Sequence, residues 1–349
     1  MKKFLTFLSY VLVAAIASVV TFGAVLINQD QQFQASPKLQ QVLQLIEERF
    51  IGETDRTVLE DAAASAMIGA MGDRWSYYIP AKDYAAHMEQ MKNAYVGIGV
   101  TISPLEEGGF EITVVNPGGP AEAAGIQLGD VIVAVGGQSV LEMDTTACRD
   151  LVRGEEGTFV DITVKRGQQE LTLSVERKTV QTAVATGEML PGNVGLVTIV
   201  NFDARCFDES VAAIEALLSQ GATSIIFDVR YNPGGYKTEL VKLLDYLLPE
   251  GDLFHSEDYK GNISVDKSDA KHLDIPMAVI VNGSSYSAAE FFAAALREYD
   301  AAVTIGEKTS GKGHFQNTFL LSDGSAVAIS TGRYKTPKGV SLEGVGITP

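Results

Sequence analysis

Three short segments of this 349-residue chain carry groups suited to bond-breaking chemistry. The first is Asn282-Gly283-Ser284-Ser285-Tyr286-Ser287-Ala288-Ala289-Glu290, which joins an apolar, strand-like run to a helical one. A serine at such a junction lies at a helix start, where unpaired N–H groups and the helix dipole stabilise a developing oxyanion. Ser287-x-x-Glu290 is equally a capping box, which accounts for both residues without any catalysis. The second segment is Thr309-Ser310-Gly311-Lys312-Gly313-His314-Phe315-Gln316. A lysine between two glycines sits in a tight backbone setting, and a buried lysine sheds its charge readily and can serve as base to a serine nucleophile. A solvated turn lysine is the other reading of Lys312. The third segment runs from Asp228 to Gly235 through Arg230-Tyr231-Asn232-Pro233-Gly234-Gly235, at the end of a buried strand. Turn chemistry explains it, and so does an oxyanion hole made from the N–H groups of Gly234 or Gly235.

The elements that must position these segments follow from the hydrophobic pattern. From Val194 onwards strand-like runs alternate with helical ones, as in an α/β core. Leu196 to Val200, Ser224 to Val229, Met277 to Val281 and Ala302 to Ile305 read as strands. Asp208 to Ser219, Thr238 to Leu248 and Ser287 to about Tyr299 read as helices. Ahead of the core, Tyr95 to about Arg177 consists of short β-type runs separated by Gly and Pro. Its pieces, Asn116-Pro117-Gly118-Gly119-Pro120 leading into Ala121 to Ala124 and then Gly129 to Gly137, resemble a PDZ domain. A groove of that kind offers an open strand edge and a glycine loop whose backbone N–H groups capture a terminal carboxylate. The resemblance makes Tyr95, Val96, Gly97, Ile98 and Gly99 the loop, with Val100 opening the edge strand Val100 to Ile102. Taken alone these glycines would only shape tight turns.

Lys38 to about Asn93 is helical in pattern, with Leu39, Val42, Leu43 and Ile46 at three- and four-residue spacings and a second run from Val58 to Met71. This module could pack or pair with a second copy of the chain. Before it, Lys2 and Lys3 precede an uncharged run from Phe4 to Ile27. As a helix that run is about 36 Å long, enough to cross a hydrocarbon core of about 30 Å. The flanking charges leave the body of the protein outside the cytoplasm. The small-x-small pair Ala15 and Ala17 lies in mid-run, so an uncleaved anchor is expected rather than a signal peptide. The polar stretch Asn28 to Pro37 is a linker.

Composition excludes several classes. Acidic residues outnumber basic ones by 44 to 27, a net charge of −17, which repels phosphate backbones and argues against a nucleic-acid partner. The two cysteines, Cys148 and Cys206, are too few for a disulfide framework or a Cys-rich zinc site. The histidines form no i, i+4 pair, so no metal is expected. Gly306-x-x-x-x-Gly311-Lys312 falls one residue short of a Walker A motif, because Gly313 stands where Ser or Thr must bind Mg²⁺.

Taken together the three segments resemble the carboxyl-terminal processing (tail-specific) serine peptidases. That family places Ser-x-x-Glu 25 residues ahead of a Gly-Lys-Gly lysine, and Ser287 to Lys312 is 25 residues. Gln316 matches a glutamine that several members carry four residues past the lysine. Arg230 to Gly235 matches the family's RxNPGG, and Gly72-Asp73-Arg74-Trp75-Ser76-Tyr77-Tyr78-Ile79-Pro80 resembles its pre-PDZ element. Ala289, Tyr236 and His314 depart from the usual pattern. The resemblance implies a multidomain α/β and β protein: a membrane anchor at 1–29, a helical segment at 30–93, a PDZ-like domain at 94–178 and an α/β Ser–Lys peptidase core at 179–349. It implies Ser287 as nucleophile, Lys312 as base and Gln316 as the residue that orients Lys312. The Ala288 N–H with that of Gly234 or Gly235 would hold the oxyanion, and no cofactor is required. Substrates would be proteins whose C-termini dock in the PDZ groove, with Arg153 as a contact between groove and core. The alternative is a PDZ-containing binding protein with an inactive core.

Overall fold

The computed structural model describes residues 37–349. The expected anchor lies outside the described residues, and among those described no helix is long and apolar enough to cross a membrane. The chain divides into two compact units, the first ending at Gly72 and the second running from Asp73 to Pro349. The first contains helices α1 (Pro37–Arg49) and α2 (Arg56–Gly69). Asp55 caps α2 by accepting from the Thr57 and Val58 N–H groups. Neither helix buries a residue completely.

The segment expected to be helical as far as Asn93 is interrupted by a strand. In the second unit Tyr77–Ile79 is a strand, β1, paired antiparallel with Ala326–Ala328. Aromatic and β-branched residues in succession favour that extended pairing over a helix. Helix α3 (Ala81–Met91) and strand β2 (Ala94–Gly97) follow. The PDZ-like module then comprises β3 (Val100–Pro104), β4 (Phe110–Val115), α4 (Pro120–Ala123), β5 (Val131–Val135), β6 (Gln138–Ser139), α5 (Thr145–Val152), β7 (Phe159–Arg166) and β8 (Gln169–Glu176). Its sheet runs β3-β4-β5-β7-β8, which leaves β3 at an edge. Ile98, Phe110, Ile112, Ile132, Ile162 and Val175 form its core. Asp130, buried, is paired with Arg166 at 2.7 Å.

Strand β9 (Lys178–Gln181) returns beside β2, pairing Ala94 with Gln181 and Gly97 with Lys178. The Thr182 N–H donates to the Asn93 carbonyl at 2.9 Å. The Asn93 amide donates in turn to Asn201 Oδ1 and Asp203 Oδ2.

The core follows as β10 (Ala185–Leu190), β11 (Val194–Ile199), α6 (Cys206–Ser219), β12 (Ser224–Asp228), α7 (Lys237–Leu247), β13 (Gly251–Asp258), β14 (Ile263–Ser268), β15 (Met277–Val281), α8 (Ala288–Glu298), β16 (Ala302–Gly306), β17 (His314–Leu320) and β18 (Ala326–Lys335). One sheet runs β10-β11-β12-β15-β16, parallel from β11 onwards. The other runs β1-β18-β13-β14, with β17 also on β18. Residues Ala288 to Leu296 of α8 are all buried, as an almost wholly apolar helix must be. Phe292 meets Phe227 of the first sheet at 5.2 Å, while Phe291 meets Phe254 of the second at 4.6 Å. Helix α8 is thus the shared core of both sheets, and its first turn cannot shift without disturbing them. Cys148 and Cys206 are buried, free thiols in separate cores, and burial pushes them up to about 11 and about 12.

Candidate active site

Ser287 occupies the last position before α8 with φ 57° and ψ −124°, a left-handed conformation that L residues adopt only under constraint. The constraint comes from buried polar side chains. Asn282 Oδ1 accepts from the Tyr231 and Ser284 N–H groups, and Ser285 Oγ donates to the Val229 carbonyl at 2.7 Å. The Tyr286 N–H donates to the Asn232 carbonyl. The serine turn and the Arg230–Gly235 turn are therefore stitched into one corner at the ends of β12 and β15. The Arg230 guanidinium grips Asp228 at 2.6 Å.

The capping box is absent. Ser287 makes no side-chain cap bond, and Glu290 turns to the lysine loop instead. Glu290, fully buried, accepts from the Gly311 N–H at 2.8 Å, the Lys312 N–H at 2.9 Å and the Thr309 hydroxyl. Burial pushes its carboxyl up, and those three donors oppose the shift. Sequence spacing suggested a bond within one helical turn; the fold supplies donors some twenty residues downstream.

Gly234 lies against the nucleophile and Gly235, next to it, against the Phe202 backbone. A Cβ on Gly234 would come 2.7 Å from Ser287 Cβ and 2.8 Å from the Ala288 nitrogen. A Cβ on Gly235 would come 2.2 Å from the Phe202 carbonyl oxygen. The Gly234 N–H is already committed to Asn232 Oδ1 at 2.8 Å. Among the described residues neither the Gly235 N–H nor the Ala288 N–H has a partner. Those two donors, beside Ser287 at the positive end of α8, form the pair that geometry leaves for an oxyanion.

Lys312 lies in the same cavity of about 960 Å³ as Ser287, the glycine pair and Gln316. Its ammonium nitrogen is 5.0 Å from the centre of the Trp75 ring and 5.7 Å from that of Tyr286. Burial lowers its pKa to about 8, against the opposing pull of Asp73 and Glu343. Trp75 stacks on Tyr286 at 5.9 Å, and its indole N–H donates to both Glu343 carboxylate oxygens at 3.1 and 3.2 Å. Glu343 also accepts from the Gly313 N–H at 2.6 Å and lies 3.4 Å from His314 Nδ1. The Tyr334 hydroxyl donates to the Lys312 carbonyl and lies beside the Ser287 hydroxyl, and burial drives its pKa strongly up.

Two expected contacts are not formed. No hydrogen bond joins Lys312 Nζ to Ser287 Oγ among the described residues. Gln316 faces the cavity, but its amide donates to Ser330 Oγ at 2.9 Å and to the His314 carbonyl at 3.2 Å rather than orienting Lys312. A register shift between Phe315 and Gln316 in the β17–β18 ladder turns that side chain towards Ser330.

In the PDZ-like module Tyr95, Val96 and Gly97 are strand residues paired with β9, so of the expected carboxylate loop only Ile98 and Gly99 form a turn. Gly99 has φ 76° and Ile98 is buried. Val100 opens the edge strand β3 as expected, with α5 packed beside it. Arg153 ends α5 with its guanidinium 5.4 Å from the Tyr95 ring, so it touches the strand that tethers the module rather than the core. Among the described residues no group of three or more His, Cys, Asp or Glu could hold a metal ion.

Residues 193–349 match Peptidase family S41, and residues 111–166 match a PDZ domain. The carboxy-terminal processing protease CtpA of Bacillus subtilis is 31% identical over 357 residues, which cover 99% of this chain and 75% of that protein. A Staphylococcus epidermidis protein named "Probable CtpA-like serine protease" is 31% identical over 329 residues, 93% of this chain but 66% of the relative, so this chain spans just under two thirds of its length. The solved photosystem II D1 C-terminal processing protease is 27% identical, with a TM-score of 0.51 over 88% of this chain and 84% of its own. Sequence identity over most of a relative and the match of residues 193–349 agree: the chain belongs to peptidase family S41 and carries a PDZ domain ahead of its peptidase core.

Proposed function

We propose that this protein is a serine endopeptidase of the C-terminal processing type, acting by a Ser–Lys mechanism on protein substrates whose C-termini dock in the PDZ groove. Neutral Lys312 takes the proton from Ser287 Oγ as the oxygen attacks the scissile carbonyl. The Ala288 and Gly235 N–H groups receive the oxyanion, and the protonated lysine returns its proton to the leaving amine. Water, activated by the same lysine, then releases the acyl group. The substrate end binds as an added strand on β3, with its carboxylate at the Ile98–Gly99 turn. The uncharged run from Phe4 to Ile27 supports an anchor that holds the body outside the cytoplasm. The exposed apolar residues Leu39, Val42 and Leu45 of α1 support pairing with a second copy.

The observation that carries this reading is a serine held in a strained left-handed elbow, in one cavity with a lysine whose pKa falls to about 8. The missing Ser287–Lys312 hydrogen bond favours the second reading, a PDZ-type binding protein with an inactive core. Cleavage of an unfolded model protein by the purified chain, beside Ser287→Ala and Lys312→Ala, separates the two. The peptidase reading expects at least about 10³-fold loss in both variants with melting temperatures retained. A folded parent that cleaves nothing, with or without added C-terminal peptides, would favour the binding protein.

A further inference from the structure

The segment Asp73-Arg74-Trp75-Ser76 lies some 240 residues before the lysine loop, and the mechanism above gives it no task. Its side chains nevertheless meet that loop, strand β18 or Glu343, which braces the loop. Arg74 donates to the Ser310 carbonyl at 2.8 Å. Ser76 donates to Asp73 at 2.5 Å and accepts from the Ser330 N–H at 3.0 Å. Trp75 places its ring 5.0 Å from the Lys312 ammonium, while Glu343 fixes the indole N–H and also the Gly313 N–H. The ring is held on one side by its stacking with Tyr286, the residue before the nucleophile. This places Trp75 at the mouth of the lysine, tied at once to the lysine loop and to the serine elbow.

We propose that Trp75 is a positioning residue for the base: it covers the Lys312 side chain, excludes water from it and thereby sets the pH at which the base is neutral. The proposal rests on the peptidase reading for its consequence but not for its measurement. An aromatic face also attracts an ammonium, which favours the charged form by roughly 0.5–2 kcal/mol. Removing the ring therefore has two opposed effects. Burial is the largest influence on Lys312 and outweighs the attraction of Asp73 and Glu343, so loss of cover dominates and the lysine becomes harder to deprotonate.

The groups that face Lys312 must be counted in any pH argument. Asp73 and Glu343 favour its charge, and the Arg74 guanidinium lies 4.0 Å from the Trp75 ring centre. Glu290 is bound to the Lys312 and Gly311 N–H groups, and the Tyr334 hydroxyl to the Lys312 carbonyl. Tyr286 stands beside Trp75, its ring centre 5.7 Å from the ammonium, and His314 bears on the site through Glu343 and Asp73.

The test is competitive acetylation of lysines on the full-length protein across pH 6 to 11, read peptide by peptide by mass spectrometry, together with the pH–rate profile of cleavage. In the parent, Lys312 labels with a midpoint near 8. In Trp75→Ala that midpoint rises by about one unit or more, the rate at pH 7 falls about tenfold, and the rate on the alkaline plateau stays within about threefold. Trp75→Phe, which keeps a ring, holds the midpoint within about half a unit. If Trp75→Ala does not fold, Trp75→Gln carries the same expectation. A labelling midpoint unchanged in a folded Ala or Gln variant overturns the proposal, as does a rate loss equal at every pH. A parent that labels as stated but never cleaves would leave the cover in place and remove the peptidase reading, so the two failures are distinct.

Discussion

Glycine serves different ends in the peptidase elbow and in the PDZ-like loop. At Gly235 an added Cβ would lie 2.2 Å from the Phe202 carbonyl oxygen, and at Gly234 it would lie 2.7 Å from Ser287 Cβ. The colliding atoms belong to backbone or to the nucleophile, so nothing can give way. At Gly97 the nearest atom is Tyr95 Cε2 at 2.8 Å, the far end of a side chain that can swing, and at Gly99 nothing lies within 3.5 Å. The elbow needs glycine for room as well as for the φ of 89° at Gly234 and 148° at Gly235; the loop needs it at Gly99 only for its φ of 76°. Behind this lies a difference in burial. The elbow is walled by buried Asn232, Asn282, Ser285 and Glu290, whereas the loop opens onto an edge strand. Buried polar groups fix the elbow from several sides, and the loop has no such polar wall.

That contrast can be broken experimentally. Gly235→Ala should have the largest effect, a kcat loss of about 10²-fold or more, because it displaces an oxyanion donor. Retained kcat in this variant would assign the hole to other donors. Glu290→Gln comes next: it turns an amide towards the buried Gly311 and Lys312 N–H groups, with about 2–4 kcal/mol of stability lost in urea unfolding. Unchanged stability would mean that the lysine loop is held elsewhere. Lys312→Met should raise stability. The folded-state pKa lies below the ordinary lysine value of 10.5, so burying the charge costs the fold most below about pH 8, and the cost fades as pH rises towards 10.5. The variant should therefore gain about 1–3 kcal/mol at pH 6 and almost nothing near pH 10.5 in thermal melts. A gain of equal size at both would sink the buried-charge account. In the module, Gly99→Ala should weaken C-terminal peptide binding by about tenfold at most, and Gly97→Ala by less than about threefold. Fluorescence titration with a labelled peptide reads both, and an effect at Gly97 as large as at Gly235 would erase the distinction.

What the sequence disclosed follows the range of the interactions. Ser287, Lys312 and the glycine pair stand in local motifs, and the strands and helices around them carry clear hydrophobic periods, so their places were legible. Glu290 was visible but misassigned: its spacing from Ser287 matches a cap, and only the tertiary fold brings Gly311 and Lys312 to it. Trp75 and Glu343 meet across 268 residues, and no local pattern links them. Tyr77–Ile79 was absorbed into a helical stretch because a three-residue strand has too few residues to show a period. The Gln316 contact was expected from resemblance, and a register shift in β17 sends its amide to Ser330 instead.

The hydrogen bond from Thr182 to Asn93 has a bearing on architecture. To the peptidase core the entire PDZ-like module is a loop whose two ends already touch. The entropy of closing such a loop grows only with the logarithm of its length, about 0.6 kcal/mol for each doubling. The core is thus nearly indifferent to how much chain sits between Asn93 and Thr182. A different recognition domain could be spliced in, or the two residues joined by a short turn, at little expense to folding. What the protein is brought to and what it does there are separable by construction.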